Sequence, residues 1–455
     1  MSESPPVSQS VTRYAEAERA LLARWPETRL EPSLDRIAAL TELLGEPQRT
    51  YPVIHLTGTN GKTSTSRMVD TLVRALDLRA GRFTSPHVES MTERICLDGE
   101  PLTEEQFLEA YNDVASIAAL ADEDSAHPLS VFEMVGGMAD SAFATAPVDV
   151  AVVEVGMGGA WDATNVADAS VAVILPVAVD HSAYLGSRPV DIAREKVGII
   201  KPGSRVVCAA QGDDVAAVVA DRVAEVGATL YLEGRDFGVI QRVPAVGGQM
   251  LRLQGLRAEY DEVFLPLYGA HQGQNAAVAL AAVEAFVGED PLDAGLVRAA
   301  FEEVTSPGRL EIIRRSPAIV LDAAHNPHGA AAVVHALDDS FTFDPLIGVV
   351  AVMADKDYQG LLAAFEPAMA AIVCTQNGTP RALPADRLAD VARGIFGTDR
   401  VYVAPRLDDA IEQAATLAEE GGVFGEAIGS GGVLITGSVV TVGEARTMLK
   451  RRNRA

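Results

Sequence analysis

Cysteine is scarce in this 455-residue chain: Cys96, Cys208 and Cys374 stand far apart, each in an apolar, strand-like run. An odd number so placed excludes a disulfide framework and suits reduced core thiols in a cytoplasmic protein. Basic residues are also in short supply. Lys and Arg number 37 against 63 Asp and Glu, a formal net charge of −26, which excludes a general nucleic-acid binder and a ligand of anionic membranes. Any anionic substrate must therefore meet a locally positive pocket. No uncharged apolar run is long enough to span a bilayer, and the start, MSESPPVSQS, lacks the basic and apolar segments of a signal peptide. Those first ten residues read as a disordered leader. No internal repeat of short period is present.

What is present is alternation of strand-like and helical segments, in a chain long enough for two α/β domains. VDVAVVEVG (148–156) and ASVAVILPVAVDH (169–181) are nearly continuous apolar, β-branched runs, the pattern of strands buried on both faces of a parallel sheet. RVVCAAQ from 205 and TLYLEG from 229 extend the pattern, and a helix is expected from about Thr103, where TEEQ has capping-box form. Between about 238 and 268 apolar and polar residues alternate around PAVGGQ, which predicts a small antiparallel subsheet. Two helices, at about 272–287 and 292–303, precede the break TSPGRLE. The expected division is therefore residues 1–306, a P-loop parallel-sheet domain with an N-terminal extension, and residues 307–455, a smaller Rossmann-like α/β domain of parallel strands. The Gly-rich stretch 419–432 reads as a mobile surface loop.

The most specific segment is YPVIHLTGTNGKTSTSRMVDTLVRAL (51–76), a strand that empties into a glycine turn, a lysine and an amphipathic helix. Gly58 and Gly61, with Thr59 and Asn60 between them, let backbone amides converge on an anion; Lys62 adds positive charge, and the helix from near Thr63 points its N-terminus at the same place. The usual Walker pattern has a further glycine where this chain has Leu56, so the loop is a shortened phosphate-binding variant.

Strand ends of an open parallel sheet aim their loops at one crevice, so polar residues just after each strand are the natural chemistry-bearing candidates. Thr84-Ser85, Glu154 and Asp180-His181 qualify, and a hydroxyl, a carboxylate and an imidazole beside a triphosphate can hold Mg²⁺. Glu154 inside an apolar strand needs a partner, whereas His181 alone reads equally as a structural histidine. EKVGIIKPG (195–203) carries two lysines. His271, Gln272 and Asn275 open a helix, where simple N-capping is the competing reading. In LDAAHNPHG, Asp322, His325 and Asn326 directly follow a buried strand, a concentration ordinary loops rarely show.

Taken in order, TGTNGKTS (57–64), TSPH (84–87) with ERI (93–95), FE (132–133), EVGMGGAWDATN (154–165), DH (180–181), EKVGIIK (195–201), HQGQN (271–275), SPGRLE (306–311), DAAHNPHG (322–329) and DKD (355–357) make the chain resemble the folylpolyglutamate synthase and dihydrofolate synthase family of Mur-type ATP-dependent amide ligases. The resemblance spans nearly the whole sequence. It implies an enzyme that joins L-glutamate to dihydropteroate or to the glutamate tail of reduced folates, splitting ATP to ADP and phosphate through an acyl phosphate. It also implies a cytoplasmic monomer that uses ATP and two Mg²⁺ ions as cofactors.

Carried over residue by residue, the resemblance assigns Gly58, Thr59, Asn60, Gly61, Lys62 and Thr63 to the phosphates, and Asn275, Arg309 and Asp322 to ATP, joined by His325. It makes Ser85, Glu154 and His181 magnesium ligands, and Lys196 the lysine that the family carbamylates into a carboxylate-like ligand. Phe132 and Glu133, with Asp35 and Asp162, fall to the pterin-bearing substrate. Where the family usually has GGRxDATN, this chain has Ala160 in place of the Arg, which points to altered acceptor affinity and leaves the ATP machinery intact. Competing readings are a Mur-type ligase for another acidic acceptor, an enzyme with only one of the two folate activities, and a nucleotide-binding regulator without turnover.

Overall fold

The computed structural model describes residues 7–26, 31–123, 125–420 and 431–454. The apolar runs flanking the glycine turn become the middle of an eight-stranded sheet, because strands with no polar face are stable only with both faces covered. Its strands are β1 (Val53–Thr57), β2 (Ala80–Phe83), β3 (Ile95–Leu97), β4 (Glu100–Pro101), β5 (Val150–Glu154), β6 (Ala169–Ile174), β7 (Arg205–Cys208) and β8 (Thr229–Leu232). Their spatial order is β4-β3-β2-β5-β1-β6-β7-β8. The run from β2 to β8 is parallel, and β3 and β4 close one edge antiparallel. β1 and β5 are buried at every residue. β1 lies between β5 and β6, with Leu56 opposite both Glu154 and Val173, so the chain reverses its direction of winding at the strand that carries the glycine turn. In doubly wound sheets such a switch point opens a crevice for ligand.

Three consecutive strands, β9 (Gly238–Ala245), β10 (Gly248–Gln254) and β11 (Glu259–Leu265), form a separate sheet in the order β11-β10-β9, as the alternating pattern predicts. The last sheet holds β12 (Glu311–Arg315), β13 (Ala318–Leu321), β14 (Leu346–Val350), β15 (Ala371–Cys374), β16 (Val401–Val403) and β17 (Gly432–Thr436), ordered β12-β13-β17-β14-β15-β16. Its strands are parallel except β12, which pairs antiparallel with β13 and which the sequence reading passed over as a break. EIIRR is half-buried and on an edge, so it lacks the continuous apolar signal of its neighbours.

The described residues form two compact units. One takes the chain up to Gln241 with Leu251–Phe264 and Gln274–Val304; the other takes Arg242–Met250, Leu265–Gly273 and the chain from Thr305 on. In the first, the helices Val7–Leu22, Glu104–Glu123 and Val131–Thr145 share one core with β1, β2 and β5. The expected disordered leader is corrected over residues 7–10, since the first helix starts at Val7; its buried Tyr14, Ala17 and Leu21 make a stripe at helical spacing. Residues 1–6 of that leader, and residues 421–430 of the expected mobile loop, lie outside the described residues. The helix foreseen from Thr103 has its capping box, with Thr103 N donating to Gln106 Oε1 at 2.9 Å and Gln106 N to Thr103 Oγ1 at 3.2 Å.

Candidate active site

The glycine turn after β1, the candidate phosphate loop, is built by glycines where nothing else fits. Gly61 caps the helix Lys62–Ala75 at φ 88°, a left-handed conformation, and a Cβ there would lie 2.7 Å from Asn275 Oδ1. Gly58 packs against Leu175, where a Cβ would approach the Leu175 Cβ to 2.5 Å. Thr59 pins the loop to the segment after β6, donating from Oγ1 to Ala178 O at 2.8 Å and accepting from Ala178 N at 3.0 Å. The helix Ala270–Val287 thus brings Asn275 against the loop, more than 200 residues from it in sequence.

Two lysines converge on one carbonyl. Lys62 Nζ donates to Gly58 O at 3.0 Å and to Thr59 O at 3.3 Å, and Lys196 Nζ donates to the same Gly58 O at 2.9 Å. Lys196 is 4% exposed. Burial, reinforced by the charge of Lys62, pushes its ammonium down to about 7 from the ordinary 10.5, so near neutrality about half of the amine is uncharged and nucleophilic. Gly159 allows this approach, because a Cβ there would meet Lys196 O at 2.7 Å and Glu195 O at 2.8 Å.

β2, β5, β1 and β6 are adjacent and parallel, so Glu154 at the end of β5, Ser85, the turn Gly58–Gly61 leading into the helix at Lys62, and His181 all follow the same end of the sheet. Glu154 is 1% exposed at the last residue of β5, and Thr63 Oγ1 donates to its Oε1 at 3.1 Å and its Oε2 at 3.0 Å. The pair of hydroxyl and carboxylate is the hard oxygen set Mg²⁺ takes. Among the described residues no group of three or more His, Cys, Asp or Glu is placed to hold a metal ion. His181 sits at φ 50°, and its backbone N–H donates to Asp180 Oδ1 at 2.7 Å, with Nε2 3.8 Å from Asp180 Oδ2.

The loop 154–165 is organised from within. Asp162, expected at the substrate, is 3% exposed and accepts from Met157 N at 2.8 Å, Thr164 N at 3.0 Å and Thr164 Oγ1 at 2.5 Å, so its carboxylate shapes the loop. Behind it stands a residue the sequence reading missed. His55, in the middle of β1 and 0% exposed, has Nε2 2.8 Å from Thr164 Oγ1. Since the Thr164 hydroxyl gives its proton to Asp162, His55 must donate through Nε2–H, leaving Nδ1 without a partner. Burial drives the imidazole down to about 3, and it stays neutral. The missed signal was a histidine inside an apolar strand, which demands a buried partner.

Phe132 rests half-buried beside Phe83, ring centroids 5.6 Å apart, and reaches Gly156, where a Cβ would lie 2.6 Å from Phe132 Cζ. An aromatic face therefore lies against the loop two residues past Glu154. Glu133 is otherwise engaged than at a heterocycle: its Oε2 accepts from Ser130 N at 2.7 Å in a capping box, and Arg36 Nε donates to Oε1 at 3.0 Å. Asp35 is exposed at the start of the helix Asp35–Leu43 and accepts from Ser33 Oγ at 2.8 Å. Ala160 lines a cavity of about 560 Å³ with Arg194, Asp221, Arg222 and Glu225, and its Cβ lies against Gly198. Position 160, expected to govern acceptor affinity, shares this cavity with residues of the helices Pro189–Lys196 and Asp213–Val226.

In the second unit, Asp322 ties two segments together, its Oδ2 accepting from Leu310 N at 3.0 Å and its Oδ1 from Ala324 N at 2.8 Å. Burial raises its pKa, and the neighbouring Arg309 offsets part of that rise. His325 Nδ1 is 3.0 Å from Ala323 O, and Asn326 caps the helix Pro327–Ser340 by accepting from Gly329 N at 2.8 Å. His271, expected beside Asn275, is pushed down to about 4 by burial and by Arg309, Arg242 and His328.

Two family descriptions match this arrangement: the Mur ligase middle domain over residues 56–283 and the Mur ligase glutamate ligase domain over residues 308–439. The dihydrofolate synthase/folylpolyglutamate synthase of Mycobacterium tuberculosis is 48% identical over 98% of this chain and 96% of its own. This chain belongs to the folylpolyglutamate synthase and dihydrofolate synthase family of Mur ligases. Among solved structures, the M. tuberculosis folylpolyglutamate synthase complexed with ADP superposes on this Mur ligase with a TM-score of 0.93 at 49% identity, covering 97% of this chain and 99% of that one. The Escherichia coli FolC complexed with DHPP and ADP does so with a TM-score of 0.85 at 26% identity, covering 99% and 100%. Among the described residues of this Mur ligase, no helix is long and apolar enough to cross a membrane.

Proposed function

We propose that this Mur ligase joins L-glutamate to dihydropteroate, to the glutamate tail of reduced folates, or to both, at the expense of ATP, and that it works as a cytoplasmic monomer. The observation that carries the reading is the phosphate loop, Ser85, Glu154 and His181 at one end of four adjacent parallel strands, in a chain 48% identical to a dihydrofolate synthase/folylpolyglutamate synthase along its length. A carboxylate is a poor electrophile. The acceptor carboxylate oxygen therefore attacks the γ-phosphorus of ATP, the bond from that phosphorus to the bridging oxygen breaks, and ADP leaves an acyl phosphate. The glutamate nitrogen then attacks the acyl carbon and inorganic phosphate departs. Of the three ammonium protons one remains on the amide, one leaves with the phosphate as its monohydrogen form, and one passes to solvent.

In this scheme the N–H groups of the loop and the Lys62 ammonium hold the β- and γ-phosphates and offset the charge that gathers as two anions meet. Glu154, Ser85 and His181, with Lys196 once carbamylated, would hold Mg²⁺, which when bound neutralises phosphate charge; Thr63, hydrogen-bonded to Glu154, is the alternative hydroxyl. The depressed Lys196 favours carbamate formation, since only the free amine adds to CO₂. Asn275, Arg309, Asp322 and His325 are assigned to nucleotide. Phe132 offers a face on which a pterin stacks, and Asp35 and Glu133 bound the same region, Glu133 by fixing Arg36.

The test is ADP release by the purified protein with Mg²⁺ and L-glutamate, offering dihydropteroate in one reaction and tetrahydrofolate in another, with products identified by mass. Turnover with one acceptor assigns a single activity and with both a bifunctional enzyme; silence with both refutes the folate reading. Sedimentation velocity at working concentration tests the monomer.

A further inference from the structure

One group of buried charge in the first unit takes no part in the site above. Arg67, Asp70 and Arg74 lie three and four residues apart on the helix Lys62–Ala75; Arg82 of β2 and Cys96 of β3 complete the cluster. Arg82 and Cys96 are 1% exposed and Asp70 is 3% exposed. Asp70 Oδ2 is 3.4 Å from Arg74 Nε and 3.7 Å from Arg82 Nε, and Arg82 Nη2 donates to Cys96 Sγ at 3.0 Å. These contacts leave much undone. Arg67 Nε, Arg82 Nε and Arg82 Nη1 are buried donors without a hydrogen-bond partner, and Asp70 Oδ1 is a buried acceptor without one. Native interiors seldom leave even one such group unsatisfied, and here three charged donors are orphaned together.

The charge is equally unfinished. Arg67, Arg74 and Arg82 are opposed by Asp70 and by Glu93, whose field reaches Arg67 and Cys96, so these five carry one positive charge in excess, with Arg74 about a third exposed. Cys96 does not supply the missing anion, because burial raises its thiol above the ordinary range despite both arginines. We propose that this cluster binds one small inorganic monoanion, of the size and charge of a halide, held by the orphaned N–H groups of Arg67 and Arg82. A dianion such as hydrogen phosphate would overshoot the single residual charge and would meet Asp70. Arg67 as a whole is only half-buried. The anion would tie the helix that follows the phosphate loop to the strand that ends just before Thr84-Ser85, steadying the two against each other.

The experiment uses the full-length protein in gluconate, chloride and bromide at fixed ionic strength, following thermal unfolding, with bromide located by anomalous diffraction from crystals. The expected result is a saturable rise in Tm with either halide and a bromide peak beside Arg82. Arg67→Gln removes the halide response. Asp70→Asn lowers the half-saturating halide concentration by about tenfold or more, since a like charge is gone, and it serves alone should Arg67→Gln fail to fold. Cys96→Ser leaves the response intact. Equal Tm in gluconate and halide, or water in place of the bromide peak, overturns the proposal. So does a halide response that appears only after Cys96→Ser, which would make the thiolate the counter-ion.

Discussion

Replacing Lys196 by Met should make the fold more stable at low pH and sharply lower turnover. The lysine is 4% exposed and its ammonium is held at about 7, against 10.5 when unfolded. Between those values the unfolded chain binds a proton the folded one does not, so stability rises with pH across that window; below about 7 both states are protonated and the full penalty stands. A shift of that size corresponds to about 5 kcal/mol at ~1.4 kcal/mol for each pH unit. Met removes the penalty and gives up one hydrogen bond, worth about 1 kcal/mol, and Gly58 O is not orphaned because Lys62 Nζ still donates to it at 3.0 Å. The variant should therefore lead the wild type by about 4 kcal/mol at pH 6, about 2 at pH 8 and nearly nothing at pH 10. Urea titrations at the three pH values, in CO₂-free buffer with chelator and no nucleotide, read this directly. A wild type as stable as the variant at pH 6, or a gap that widens with pH, would refute the argument that Lys196 is buried as a strained cation. The same variant, folded, should lose at least about a hundredfold in kcat, the scale of removing one group that stabilises charge in the transition state.

His55 stays neutral in the fold with its pKa near 3, so stability present above pH 6.5 drains away as pH falls toward 3. His55→Gln, whose amide can still donate to Thr164, should flatten that acid limb in unfolding titrations from pH 7 to 4; an unchanged slope would discount the buried imidazole. Gly156→Ala drives a methyl group to 2.6 Å from the Phe132 ring, and should raise KM for the pteridine acceptor by about tenfold while KM for ATP holds. Equal change in both would remove Phe132 from the acceptor pocket. Ala160→Arg should extend into the cavity beside Asp221 and Glu225, add under about 1 kcal/mol of stability and leave acceptor KM unchanged. A tightened acceptor KM would return position 160 to the substrate.

The sequence by itself determined the parts. Contiguous apolar runs named the central strands, since a strand buried on both faces has no polar residues to spare, and the glycines, Lys62 and the residues after them named the strand–turn–helix proposed to bind phosphate, since those features act within a dozen residues. Local chemistry also gave the Thr103 cap. It could not give β12, whose half-buried edge carries no continuous apolar signal, or the helix at Val7, whose stripe of Tyr14, Ala17 and Leu21 acquires meaning only against the core it covers. Tertiary structure alone decided which strands are neighbours. The order β2-β5-β1-β6 brings Ser85, Glu154, the phosphate loop and His181 to one end of the sheet. It set Lys196 on a carbonyl 138 residues away, joined His55 to Thr164 and Asp162, and bound Glu133 to Arg36. Each of these is a long-range hydrogen bond or a desolvated charge. Their energies depend on which groups the fold excludes from water together, and spacing along the chain carries no record of that.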